Sequence, residues 1–390
     1  MPPADLDTWR RVADDAELLR AAAESDPAEV SHVARLRKRY PADAVAVALE
    51  LVGARRRATI KFPGLADRLV ADGPGLEQAS SLRVARHKAE RFRAAGIGRV
   101  TDACCGVGGD AWGFVNAGLD VLAVDRDPVR AWMAGRNAGC PIRVADVGGL
   151  PGDGSALHLD PGRRGDAGRV YRLADHEPPP EVWRRLLARF ADTAIKLSPA
   201  IDRDELAERL PGVDGELSFL AEGSRLVQAV FYTGRLAAAA RSAVRLDGDA
   251  THILAGPPDA APVAPIGRFL FAIHPAAERA ELVGRLGLPL VHPKLGLLTA
   301  DRADAPPPHA RPWLTAFECL TELPFSADLR KLRRWLADHD AGVVEVKTRG
   351  RAVDPDRLQP RLRGDGTTPY TVFVLRFDRR LAALVTRRLA

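Results

Sequence analysis

The block Asp102-Ala-Cys104-Cys-Gly106-Val-Gly108-Gly109-Asp110 is where residue type and spacing imply chemistry most directly. It follows a β-rich run and precedes a helical pattern. That order predicts a strand-to-helix turn whose backbone N–H groups are open to a ligand. The glycines allow the tight turn and let a ligand approach the main chain closely. Nineteen residues after Gly106, Asp125 ends a second β-rich run, where a carboxylate can take ribose hydroxyls, with Arg126 beside it. Asp146 ends a third run and is placed to meet an adenine amino group.

Three ligands compete for such a loop. A phosphate-binding P-loop is excluded, because no Gly-Lys-Ser/Thr follows to hold phosphate and magnesium. A dinucleotide fits the Gly106-x-Gly108-x-x-Ala111 spacing. Its pyrophosphate, however, would lie beside the Asp102 carboxylate and be repelled. S-adenosylmethionine brings an ammonium and a sulfonium there instead, and Asp102 attracts both. The residues favour the methyl donor, with Asp102, Cys104, Gly106, Gly108, Gly109, Asp110, Asp125, Arg126 and Asp146 as its expected contacts.

A second reactive position follows the fourth β-rich run, at Asp160-Pro161-Gly162-Arg163-Arg164. An acid at a strand's C-terminal end, followed by Pro161, accepts hydrogen bonds from an amine, and nearby main-chain carbonyls share that work. An aromatic exocyclic amine is a poor nucleophile because its lone pair is delocalised. Holding its hydrogens localises the pair toward the methyl group, which is catalysis by positioning. Asp160 can also assist proton loss after transfer. By itself Asp-Pro is a turn signal; its place at the edge that carries the cofactor motifs favours catalysis. Lys196 and Ser198, after the fifth run, fall at the same edge and are candidates for the substrate pocket.

These positions need a scaffold, and the pattern supplies one in three segments. Residues 1–92 read as helical, with Leu6, Trp9, Val12, Leu18 and Leu19 at helical spacing and helix starts at Asp26-Pro27 and Tyr40-Pro41. Residues 93–255 alternate β-rich runs (98–102, 120–125, 142–146, 156–160, 194–197) with helical patterns at 110–118, 128–138 and 181–191. Such alternation implies a doubly wound, Rossmann-like α/β sheet covered on both faces. The stretch 256–265, with four prolines, reads as a linker. Beyond it, residues 256–390 mix strand-like and helical runs as a small α+β domain with helices on one face.

Composition narrows the class. Hydrophobic residues make up 46% and charged residues 28%, which suits packed cores rather than a disordered chain. No apolar run approaches the ~18 residues of a membrane span, and the acidic, helix-like start has no basic region ahead of an apolar stretch. Cys104, Cys105, Cys140 and Cys319 are too few for a disulfide framework and lack zinc spacing. A cytoplasmic, metal-free protein with reduced thiols is expected. The 57 Lys and Arg include only seven lysines, a skew that reflects coding bias rather than function. Their distribution says more: residues 321–390 hold 15 Lys/Arg against 9 Asp/Glu, so the net +6 of the whole chain is concentrated there. A basic end domain on a neutral body suggests a polyanion-facing surface.

The motif order DACCGVGGD, AVDRDP, DPGRR (160–164), IKLSP (195–199) and EVKTRGRAVDP (345–355), with LEQASS (76–81) ahead of them, carries a resemblance. It is similar to a bacterial group of class I methyltransferases with a THUMP-like C-terminal domain, related to trimethylguanosine synthase. The resemblance implies transfer from S-adenosylmethionine to RNA, with a nucleobase amine in structured RNA as the acceptor. It also implies that Gln78 and Ser81 close a segment over the cofactor and that Lys347, Arg349 and Arg351 meet phosphates. One departure stands out: Gly162-Arg163 replaces the Pro-Pro-Trp of trimethylguanosine synthase, whose aromatic stacks on the base. Stacking would fall instead to Tyr171 or to an arginine plane such as Arg163 or Arg164. A small-molecule or protein acceptor, or an RNA-binding protein with a vestigial cofactor fold, are the competing readings.

Overall fold

The computed structural model describes residues 5–26, 28–163, 172–326, 328–349 and 352–389. Contacts divide the chain into two units, Met1–Leu220 with Val227–Ala238, and Ala221–Leu226 with Ala239–Ala390. The proline-rich stretch 256–265 lies inside the second unit.

The first unit opens with six helices: α1 (Leu6–Asp14), α2 (Ala16–Ala23), α3 (Val30–Arg37), α4 (Ala42–Lys61), α5 (Gly73–Gln78) and α6 (Leu82–Ala94). Side-chain caps begin several of them, among them Asp5, Asp15, Asp72 and Ser81. At Asp26 the expectation differs from the structure. The helix starts at Val30, and the Asp26 carboxylate accepts from the Ala28 N–H (2.9 Å) in a turn ahead of it. Trp9, Leu18 and Leu51 from these helices, with Phe62 just past the end of α4, share a core with Val107 and Met133, so the helical segment packs onto the α/β layer.

That layer runs β1 (Arg99–Ala103), α7 (Gly109–Asn116), β2 (Asp120–Asp125), α8 (Pro128–Ala138), β3 (Ile142–Val144) and β4 (Ala156–Leu159). A two-stranded ribbon follows, β5 (Gly162–Arg163) paired with β6 (His176–Glu177). Then come α9 (Pro180–Leu187), β7 (Thr193–Leu197), α10 (Arg203–Arg209), β8 (Glu216–Glu222) and β9 (Arg225–Tyr232). The strands lie side by side as β8-β9-β7-β4-β1-β2-β3. β1, β2, β3, β4 and β7 are parallel, and β9 runs antiparallel to β7. Buried on both faces, β4 has no exposed position. Because the order reverses between β1 and β4, the C-terminal ends of these strands open a crevice at the switch point.

Helix α6 carries His87, whose imidazole is pushed down to about 4 from 6.5, first by burial and then by the Arg91 and Lys88 cations. The unfolded chain therefore binds a proton between those pH values that the folded chain refuses. Stability present above pH 6.5 should be lost as pH falls toward 4, by about 3 kcal/mol. His87→Asn should flatten that part of the stability–pH curve in thermal unfolding; an unchanged curve would show that His87 does not carry it.

The second unit contains the antiparallel hairpin β10 (Arg241–Asp247) and β11 (Ala250–Gly256). It continues with β12 (Phe269–Ile273), α11 (Pro275–Arg279), β13 (Leu297–Ala300), β14 (Leu314–Pro324), α12 (Arg330–Asp338), β15 (Ala341–Arg349), α13 (Pro355–Leu362), β16 (Thr368–Phe377) and β17 (Arg380–Arg388). Six strands form a sheet in the order β13-β12-β14-β17-β16-β15. Strand alternation sorts its two faces. Val372 and Val374 of β16 pack with Leu332 and Leu336 of α12 and Leu358 and Leu362 of α13, while Phe373 and Leu375 pack with Leu270 and Leu295. Both helices therefore lie on one face, in line with the sequence pattern.

Candidate active site

A cavity of about 710 Å³ opens at the C-terminal ends of the first unit's strands. Its wall includes Cys104, Cys105, Gly106, Gly109 and Asp110 from the β1–α7 turn, Asp125 and Arg126 after β2, and Asp146 after β3. Asp160 and Pro161 after β4, Lys196 and Ser198 at the end of β7, and Gln78 also reach it. The topology thus gathers residues up to 120 positions apart, 78 to 198, at one edge.

The turn itself is tightly specified. Cys104 sits in the left-handed region at φ 57°, an unusual conformation for a side chain with a Cβ. Burial, reinforced by the Asp125 and Asp160 carboxylates, pushes its thiol well above the usual range, so Cys104 stays a neutral thiol. The Gly106 N–H donates to Asp125 Oδ2 (3.0 Å), and the Asp127 N–H donates to Asp125 Oδ1 (3.0 Å). Two backbone bonds therefore fix the Asp125 carboxylate on the cavity wall, while burial raises its pKa. Nothing lies within 4 Å of a Cβ built on Gly106, so the open side of the turn is free for a ligand. Asp146 Oδ1 accepts from the Gly148 N–H (2.7 Å), and Arg126 pairs with Glu177 of β6.

Three expected cofactor contacts, Gly108, Ser81 and Asp102, lie off the cavity wall. Gly108 is off the cavity wall; at φ 82° it starts α7, and an added Cβ would lie 2.6 Å from the Ala134 Cα, so its small size serves the approach of α8. Ser81 is the cap of α6 and accepts from the Val84 N–H (3.3 Å); the neighbouring Ser80 reaches the cavity instead. Asp102 is buried behind the turn, where its Oδ1 lies 2.7 Å from His158 Nδ1.

Asp102 belongs to a buried polar network that the sequence reading did not anticipate. The Lys88 ammonium, 0% exposed, lies 2.6 Å from Asp110 Oδ1, 3.3 Å from Ser80 Oγ and 3.1 Å from His158 Nε2. With Lys88 donating to Nε2, the ring proton of His158 sits on Nδ1 and is given to Asp102. Burial alone would raise the Asp110 carboxyl, but the Lys88 ammonium outweighs it and holds it well below the carboxylate range. Burial dominates at Asp102 and raises it, against the pull of His158. One ammonium between two carboxylates leaves an electronegative layer beneath the turn.

At the other end of the edge, Lys196 Nζ bonds Asp160 Oδ2 (2.7 Å) and the Gln78 carbonyl (2.9 Å). Burial would lower this lysine, yet the Asp160 and Asp110 carboxylates outweigh it, so the ammonium is held above its ordinary range. The segment carrying Gln78 is pinned a second time by Lys61, whose Nζ reaches the carbonyls of Leu76 (2.9 Å), Glu77 (2.7 Å) and Ala79 (2.8 Å). Ser198 Oγ accepts from the Ala200 N–H (3.3 Å).

Arg164, Tyr171 and Arg351 lie outside the described residues, as does the side chain of Arg163, whose backbone pairs with His176. Lys347 and Arg349 stand on β15 in the second unit; Lys347 pairs with Glu345 (2.7 Å), and Arg349 donates to the Thr348 carbonyl (3.3 Å). Among the described residues, no helix is long and apolar enough to cross a membrane.

The donor set fits a cationic ligand that carries a nucleoside. Carboxylates line the cavity at Asp110, Asp125, Asp146 and Asp160, and the arginines and lysine on its wall already hold carboxylates of their own. A pyrophosphate would find little to neutralise it.

A family model described as THUMP domain-like matches residues 314–388. Two strains of Mycobacterium tuberculosis each carry a relative named an uncharacterized S-adenosylmethionine-dependent methyltransferase. Each is 33% identical over 342 residues, spanning 83% of this chain and 90% of the relative. A solved structure from Porphyromonas gingivalis, provisionally named a methyltransferase, superposes with a TM-score of 0.71 at 20% identity. It covers 99% of this chain and 98% of its own, and at that identity it speaks for the fold alone.

Proposed function

This chain belongs to the S-adenosylmethionine-dependent methyltransferases, and from that premise we propose that it methylates an exocyclic nucleobase amine in structured RNA. The observation that carries the acceptor chemistry is the Asp160 carboxylate, at the edge of β4 on the same wall as the cofactor turn. Its Oδ2 is engaged by Lys196, which leaves Oδ1 to accept a hydrogen bond from an incoming amine. The THUMP-like match over 314–388, with the +6 concentrated in residues 321–390, supports RNA as the bearer of that amine.

When bound, S-adenosylmethionine supplies an electrophilic methyl group on a sulfonium. The chain supplies placement. Asp125 and the Cys104–Gly106 main chain fit the nucleoside end, and Asp110 fits the ammonium. Asp160 turns the amine lone pair toward the methyl and then takes up the released proton at Oδ1. Lys196, held as an ammonium, does not act as the base.

The test uses tritiated S-adenosylmethionine, purified protein, and total RNA from a strain lacking this gene. Label should enter that RNA and not RNA from the unmodified parent, whose sites are already methylated. Label in protein or small molecules, with none in RNA, would overturn the RNA acceptor while leaving the transferase intact.

A further inference from the structure

Gln228, on β9, is 4% exposed, yet it reaches the wall of the cavity. Its register explains the reach. β9 runs antiparallel to β7 with Ala229 opposite Leu197, so Gln228 falls at the C-terminal edge of the sheet, level with Ser198. One end of its amide is met by a polar neighbour: Oε1 lies 3.4 Å from Ser80 Oγ, whose single hydroxyl proton is shared with the closer Asp110 Oδ2 (2.9 Å). The other end is not, because Nε2 is buried and has no hydrogen-bond partner. A buried amide donor left unmade carries its full desolvation cost, and such a group in a folded protein calls for a partner supplied from outside.

Charge selects that partner. S-adenosylmethionine carries a carboxylate on its methionine tail, which enters a cavity rich in carboxylates. The described arginines and lysine of the wall are each committed: Arg126 to Glu177, Arg130 to Asp72, Lys196 to Asp160. Ser80 ties Gln228 to Asp110 in the first turn of α7, at the cofactor end of the cavity. We infer that Gln228 Nε2 donates to the methionine carboxylate of the methyl donor and so makes the enzyme selective for ligands bearing that carboxylate. The inference concerns the donor alone and does not depend on the class of acceptor.

Titration calorimetry on the whole chain separates the outcomes, using S-adenosylhomocysteine, which has the carboxylate, and 5′-methylthioadenosine, which lacks the amino-acid tail. Gln228→Leu should weaken S-adenosylhomocysteine roughly 10- to 100-fold, as expected for one hydrogen bond to a charged group. It should leave 5′-methylthioadenosine unchanged, which also shows that the variant is folded. Gln228→Glu sets a carboxylate against a carboxylate and should bind S-adenosylhomocysteine more weakly still. The inference is overturned if the Leu variant loses both ligands equally or neither. It is overturned too if the Glu variant binds as tightly as the native protein, since the amide oxygen would then be the end that meets the ligand.

Discussion

Asp160→Ala should lower the rate of methyl transfer by about 10²- to 10⁴-fold, the range for loss of a positioned acid–base group. Affinity for S-adenosylhomocysteine should stay close to native. The asymmetry follows from where the residue sits. Cys104–Gly106 and Asp125 hold their geometry through backbone bonds that do not involve Asp160, so the cofactor end survives its removal. What disappears is the Oδ1 that the proposed function assigns to the amine. Lys196 loses one of its two partners and keeps the Gln78 carbonyl. Asp160→Asn makes the sharper comparison, because it keeps the shape and removes the charge. Single-turnover transfer beside calorimetry on the same protein reads both quantities, and undiminished transfer by either variant would end the assignment of Asp160 to catalysis.

Lys88→Met should destabilise the protein by about 3–5 kcal/mol, the cost of breaking a buried ion pair by removing one partner. The Lys88 side chain is fully buried, and its ammonium meets Asp110, Ser80 and His158. Methionine fills similar space but leaves the Asp110 and Asp102 carboxylates in the interior with no cation between them. Adding Asp110→Asn to the Lys88→Met background should recover part of the loss, since a neutral amide no longer needs the ammonium. Urea unfolding of the single and double variants measures this. A loss below about 1 kcal/mol for Lys88→Met, typical of an exposed pair, would show that water reaches the network.

The two predictions mark how far the sequence could be read. Asp160, Lys196 and the 102–110 turn were visible because strand ends, glycines and acids leave local signals, and an α/β sheet brings such ends to one edge. Lys88 and His158 were not. They are 70 residues apart and meet only when α6 covers β4, and no spacing rule links a helix lysine to a strand histidine. A hint was present in Ala-Leu-His158-Leu, a polar residue in a strand otherwise apolar enough to be central. Ser80 and Ser81 show a limit of another kind, since a helix cap and a cavity residue differ there by one position. Gly108 shows that a glycine in a ligand-binding pattern can answer to a neighbouring helix rather than to the ligand. The strands from 216 to 256 also escaped, because β10 and β11 form an antiparallel pair and no α-helix falls between β8 and β11, so β-α alternation is missing there.

The two lysines that grip the 76–79 segment come from opposite ends of the first unit's chain, Lys61 from α4 and Lys196 from β7. This bears on how such an enzyme can be cut, fused or recombined. A shortened chain beginning at the sheet would keep every glycine and aspartate of the cofactor turn and lose the wall that faces them. Exchange of the first 92 residues between relatives is then an exchange of the stretch of cavity wall that runs from Gly75 to Ser80, and cores grafted without their own helices should inherit the turn without its enclosure.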